Sequence, residues 1–183
     1  MEFDLNAATA VLSRTPGVLR AWLEGLPQDW ITESEGPGTW SPYDVVGHLI
    51  HGERTDWIPR ARIILEHGEA RAFEPFARFA QFRDSEGKRV EDLLEEFAAL
   101  RAENLATLRK LDLSQADLEK TGLHPDLGRV RLRELLATWT AHDLNHMVQI
   151  ARTMAGQCGY AVGPWKAYLS VLQHRGSAGA HSS

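Results

Sequence analysis

Leu5, Leu12, Leu19 and Leu26 recur every seven residues with Ala8 and Trp22 beside them, a spacing that predicts a first helix with one apolar seam. Pro16 falls inside it and lacks the N–H that the helix needs, so a kink or a restart capped by Thr15 is expected. A second helix is predicted from Pro42 to about Glu66. "WSPYD" sets Ser41 at its cap, Pro42 at its first position and Asp44 in its first turn, with Pro59 as an internal kink and Gly68 as the stop. A third runs from about Lys88 to Leu111 on the stripe Val90, Leu94, Phe97, Leu108 and Leu111. The fourth, about 131–156, carries Leu132, Leu135, Trp139, His142, His146 and Ile150 on one face. Gly163-Pro164 opens a short fifth helix with Trp165, Tyr168, Leu169 and Leu172.

No segment shows the alternation of a half-buried strand, so the predicted class is all-α. Four long helices of matched length favour a four-helix bundle. The stretch after the second helix, "GEARAFEPFARFAQFRDSEG", is too long for a tight helical hairpin. It suits a crossing that makes the second and third helices parallel, and the expected order is up-down-down-up. The domain is expected over 3–173, with a disordered tail at 174–183 ("HRGSAGAHSS").

Composition narrows the chemistry. The chain has 183 residues and a formal charge of -5, with no Lys/Arg block, which argues against a protein that relies on phosphate contacts with nucleic acid. No apolar run approaches the length of a membrane span, and the first residues lack the pattern of a secretory signal, so a cytoplasmic location is expected. Cys158 is the only cysteine; a disulfide within the chain is excluded, and a bound metal must use histidine or carboxylate. The expected partner is a small-molecule substrate, with a homodimer as an open option.

His142 and His146 stand four residues apart on the apolar stripe of the fourth helix. Such positions differ by about 40° around the axis and about 6 Å along it, so both imidazoles can reach one metal ion. Hydrogen-bonded core histidines are the alternative, but two buried imidazoles need partners. A zinc, nickel or iron site needs at least a third protein ligand. "VVGHLIHGE" offers His48 and His51, of which His48, three residues after Val45, is the better placed. The residues between the paired histidines include no HExxH glutamate, so a zincin-type protease is not indicated. Asp143 and Glu53 read as surface or supporting groups. Arg101 and Asn104 fall on the third stripe and could reach a cavity to bind an anionic substrate; a one-residue rotation instead puts Leu93, Phe97 and Leu100 inside and Arg101 at the rim. Phe73, Phe76, Phe79 and Phe82 in the crossing line the pocket or anchor the loop, with anchoring favoured. Cys158 has no activating base in sequence, and His124 either sits near the pocket through the "HPDLG" turn or serves the turn itself, with turn chemistry favoured.

"TWSPYDVVGHLIHGE" and "LLATWTAHDLNHMVQIAR", with "HPDLGRVRLREL" and "WKAYL", resemble the DinB/YfiT-like superfamily of metal-binding four-helix bundles over about residues 5–172. The resemblance implies a metal triad at His48, His142 and His146 holding nickel, zinc or iron. It implies either activation of a low-molecular-weight thiol such as bacillithiol or mycothiol for S-transfer, or activation of water. His51 departs from the minimal triad, as a proton carrier, a fourth ligand or a surface residue. The rival expectation is a non-catalytic, stress-related module that holds a structural metal or sequesters a ligand.

Overall fold

The computed structural model describes residues 3–173; the tail expected to be disordered, 174–183, lies outside the described residues. Helices α1 (Leu5–Leu12) and α2 (Thr15–Leu23) stand where one helix was expected. Pro16 cannot donate to the Leu12 carbonyl and its ring crowds it, so the ladder stops at Leu12. Thr15 is the first residue of α2 rather than its cap, which is Arg14. A short α3 (Gln28–Thr32) precedes α4 (Pro42–Thr55), whose Ser41 cap is reciprocal with Asp44: Ser41 Oγ accepts from the Asp44 amide, and Asp44 Oδ2 accepts from the Ser41 amide at 2.9 Å. The same proline logic ends α4 at Thr55, four residues before Pro59, and α5 (Trp57–His67) continues to Gly68, whose φ of +58° stops it.

The crossing is partly ordered, with a 3-10 turn at Gly68–Ala70 and a short α6 (Ala80–Ser85). Gly47 lets α6 lie close on α4, since a Cβ there would stand 3.3 Å from Gln81 Cβ and collide with Ser85 Oγ. The chain then forms α7 (Val90–Lys110), α8 (Gln115–Leu118) and α9 (Leu132–Gln157). The mostly helical class holds, and one small hairpin departs from the strand-free expectation. Thr121–His124 (β1) and Gly128–Arg131 (β2) form an antiparallel hairpin. Its turn is held by His124 Nδ1, which accepts from the Asp126 and Leu127 amides, and by Gly128 at φ +72°. Four residues per strand leave too little alternation to read. The Phe73 amide donates to the Leu123 carbonyl at 2.9 Å, pinning the crossing to the hairpin and seating Phe73 in the core. The expected fifth helix is instead two 3-10 turns, Gly163–Tyr168 and Ser170–Leu172, with Trp165 and Tyr168 exposed.

Side-chain pairings set the helix directions. Tyr43 reaches the Ser85 and Lys88 carbonyls, Glu53 meets Arg101, and Asn104 meets Glu53; both numberings rise together, so α4 and α7 are parallel. His48 meets His142, while Glu53 meets Trp139, so α4 and α9 are antiparallel. Leu12 packs with Leu105, Leu108 and Trp139, whereas Leu19 and Leu23 pack with Val90, Leu94 and Ile150. The α1–α2 arm therefore runs with α9 and against α7, the up-down-down-up order. These packings form two apolar clusters, and a buried layer of charged side chains lies beside the histidines.

Candidate metal centre

α4 and α9 each turn histidine inward, and the three rings meet at their Nε2 atoms. His48 Nε2 lies 3.1 Å from His142 Nε2, which lies 3.2 Å from His146 Nε2. Among the described residues, this is the group of three histidine, cysteine or acidic side chains placed to hold a metal. His48 and His146 are buried and His142 is half-buried. Aromatic rings enclose them. Trp40 lies 4.8 Å from the His48 ring and stacks on His146 at 6.2 Å, Trp57 meets His142 edge-on, and Phe76 meets His48 edge-on.

Burial, reinforced by the neighbouring imidazoles, lowers the His48 pKa to about 2 and that of His142 to about 3. Burial also lowers His146, against the hydrogen bond that its Nδ1 donates to Gln149 Oε1, which raises it. All three rings are neutral at pH 7, the form that ligates a metal. Gln149 Oε1 lies 2.9 Å from His146 Nδ1; a proton on Nδ1 leaves Nε2 as the free donor atom. The outward Nδ1 atoms of His48 and His142 are buried without a partner among the described residues.

The fit to a metal follows from the donor set. A neutral imidazole has one N–H and one lone pair, so one proton on His142 Nε2 can point at His48 or at His146 but not well at both. The other close pair is then left without a proton between its two nitrogens and makes no hydrogen bond. A cation between the three atoms takes one lone pair from each ring and removes that conflict. Ligands about 2.0–2.1 Å from one ion are separated by about 3.0 Å at right angles and about 3.4 Å at tetrahedral angles, which brackets the two separations here.

His51 is buried rather than a surface residue, and its ring lies 4.9 Å from Phe76. It stands outside the converging trio, and its buried Nε2 has no partner among the described residues. Burial lowers its pKa, against the pull of Asp84. Arg101 neither reaches toward a ligand nor sits at a rim. It is 1% exposed, with Nη1 donating to Asp143 Oδ2 at 2.6 Å and to the Leu12 carbonyl at 2.8 Å, and Nη2 donating to Glu53 Oε1 at 2.8 Å and Asp143 Oδ1 at 3.0 Å. The Leu12 carbonyl is the one that Pro16 releases from the helix. Burial opposes the Arg101 charge, yet the two carboxylates hold its pKa above the ordinary value. Asn104 Nδ2 donates to Glu53 Oε2, and Trp139 Nε1 to Glu53 Oε1. Glu53 and Asp143 are thus buried partners of Arg101 rather than surface groups.

The four phenylalanines divide their roles. Phe73 anchors the loop in the core, Phe76 borders His48 and His51, and Phe79 and Phe82 stack on each other in exposed positions. Sequence reasoning missed Trp40, Gln149 and Arg78 around the trio. Gln149 was readable as the i+3 neighbour of His146, and Trp40 as the residue before the Ser41 cap; Arg78 depends on the path of the crossing.

A family model described as the DinB superfamily matches residues 12–150. Among solved structures, the chain is similar to YfiT from Bacillus subtilis, described as "a probable metal-dependent hydrolase with an unusual four-helix bundle topology". The two share 21% identity, with 87% of this chain and 90% of that chain covered and a TM-score of 0.71. No curated protein matches the sequence.

Proposed function

The chain belongs to the DinB superfamily, and from that premise we propose that it is a metal-dependent enzyme, of hydrolase type, in which His48, His142 and His146 hold one nickel, zinc or iron ion. The observation that carries the reading is the convergence of the three Nε2 atoms within hydrogen-bond distance. The hydrolase description of YfiT, which shares the fold, supports water as the nucleophile. Bound there, the ion would act as a Lewis acid that lowers the pKa of a coordinated water.

The remaining steps belong to the chain's own groups. The three imidazoles stay neutral because burial disfavours their protonated forms. Gln149 keeps the His146 proton on Nδ1. Trp40, Trp57 and Phe76 exclude bulk water from the donor side and leave half-buried His142 as the open edge. His51 Nε2, unpartnered and on the same Phe76 ring as His48, is the base that would take the proton of the attacking water and return it to the leaving group. A low-molecular-weight thiol of the bacillithiol or mycothiol class is the second nucleophile, favoured by the aromatic wall, since sulfur makes favourable contacts with ring edges.

Elemental analysis of natively purified protein tests the site, with turnover of small esters and amides measured with and without added thiol. About one ion per chain is expected in the native protein and in His51→Ala, with turnover reduced in His51→Ala. His48→Ala, His142→Ala and His146→Ala are each expected to lose the ion while keeping helical circular dichroism. Loss of the ion in His51→Ala with retention in His48→Ala would refute the ligand assignment. A fully closed coordination shell would favour the structural-metal module over the enzyme.

A further inference from the structure

Arg78 lies on the crossing between the Gly68–Ala70 turn and α6, two residues past Phe76. Its guanidinium carbon sits 5.5 Å from the centre of the Trp40 ring. Trp40 in turn packs 4.8 Å from His48, which places the guanidinium no more than about 10 Å from the His48 ring.

The pairing pattern of the arginines sets Arg78 apart. Six arginines among the described residues are buried or half-buried: Arg20, Arg60, Arg78, Arg101, Arg133 and Arg152. Five have a carboxylate within ion-pair distance, from Glu24, Asp56, Glu53 with Asp143, Glu119 and Glu35 respectively. Arg78 has no carboxylate partner and no side-chain hydrogen bond among the described residues. In a chain with 25 acidic side chains against 20 basic ones, the half-buried cation that lacks an anion is the one beside the histidine trio. A planar guanidinium fixed on an aromatic face presents its N–H fork for bidentate binding of an oxyanion.

We infer that Arg78 is a specificity-determining residue that binds the anionic group of the substrate, making the substrate class a small organic acid, carboxylate or phosphate, with an apolar body that packs on Trp40 and Phe76. The inference rests on the proposed metal centre only for the position of the substrate's reacting end. The anion site itself stands on Arg78 and Trp40.

The test uses native metal-loaded protein and the same protein stripped by chelator, with phenylacetate and phenylphosphate as acid probes and phenylacetamide as the neutral one. Binding is followed by tryptophan fluorescence and calorimetry. The acids are expected to bind at least tenfold more tightly than the amide, with or without metal. Arg78→Met is expected to lose that preference while leaving amide binding, metal content and helical circular dichroism unchanged. Arg78→Lys keeps part of the preference, because a point charge replaces the fork. An acid preference that persists in Arg78→Met, that is absent from the native protein, or that disappears on stripping overturns the inference; the last result assigns the anion to the ion. A protein that never takes up metal yet shows an Arg78-dependent preference sinks the metal centre and keeps Arg78.

Discussion

Replacing Arg101 with methionine is the sharpest perturbation of the buried polar layer. Met fills much of the arginine stem volume between Phe97 and Trp139, whose rings lie 4.9 and 5.1 Å from the guanidinium carbon, so the change is mainly electrostatic. It strands Glu53 and Asp143, whose side chains are 0% exposed, and leaves the Leu12 carbonyl without its side-chain donor. Removing one partner of a buried ion pair costs about 3–5 kcal/mol, a large part of the roughly 5–15 kcal/mol that holds a domain folded. With a urea slope near 2 kcal/mol per molar, the unfolding midpoint should fall by about 1.5–2.5 M. The triple variant Arg101→Met, Glu53→Gln, Asp143→Asn should recover more than half of the loss. Its amide oxygen at position 53 still accepts from Trp139 and Asn104, while no charge is left buried. A single-variant loss under about 1 kcal/mol, or a triple variant no more stable than the single, would refute this reasoning, because then stranded charge is not what destabilises.

Acid should weaken the metal-free fold. His48 and His142 have folded pKa values of about 2 and about 3, below the unfolded value near 6.5, so the unfolded chain binds more protons and stability is lost as pH falls below that value. From pH 7 to 5 each contributes a loss of about 2 kcal/mol, offset by about 1 kcal/mol from Asp56. Burial raises the Asp56 pKa to about 6, against Arg60, so Asp56 favours folding at the lower pH. A net loss of at least about 2–3 kcal/mol is expected in urea titrations of chelator-treated protein, since His146 and His51, also lowered by burial, add to it, and a flat profile would contradict the burial of neutral rings. Gly47→Ala should destabilise by about 1–3 kcal/mol despite the better helix propensity of alanine, because its Cβ collides with Ser85 on α6. Thermal melts check it, and Gly47→Ala with Ser85→Ala should restore most of the loss.

The long helices were legible because each buries a continuous stripe, and the Ser41 cap was legible because a capping box is local chemistry. The helix breaks were half-legible: Pro16 and Pro59 announced them, but each break falls at the carbonyl four residues upstream, at Leu12 and Thr55. The hairpin was hidden by strands of four residues, and the fifth helix by a Gly-Pro start that serves a 3-10 turn equally well. In the candidate site, His142 and His146 share a helix, so their spacing carried the geometry unaided. His48 needed the antiparallel pairing of α4 with α9. Arg101 misled because a charged residue on an apolar stripe reads as a ligand hook or a rim group. The long-range pairs that occupy it, Glu53 at 48 positions and Asp143 at 42 positions away in sequence, leave no local trace. Arg78 was unreadable for the opposite reason, since its distinction is a partner it lacks.

The buried layer and the histidine trio share one geometric requirement. Metal–ligand distances tolerate only about 0.2 Å, yet the three donor atoms come from two helices that could slide or rotate on apolar contacts alone. One residue of slip moves a side chain about 1.5 Å along the axis and about 100° around it. Arg101 ties Glu53, five positions after His48 on α4, to Asp143, the residue after His142 on α9. Its bidentate grip on Asp143 fixes direction as well as distance, while Trp139 Nε1 repeats the link from α9 to Glu53 at 2.9 Å. The Leu12 carbonyl released by Pro16 brings the first arm of the bundle to the same guanidinium. A proline break, a buried arginine and two acids far apart in sequence thus hold α4 and α9 in the register at which His48 meets His142 and His146.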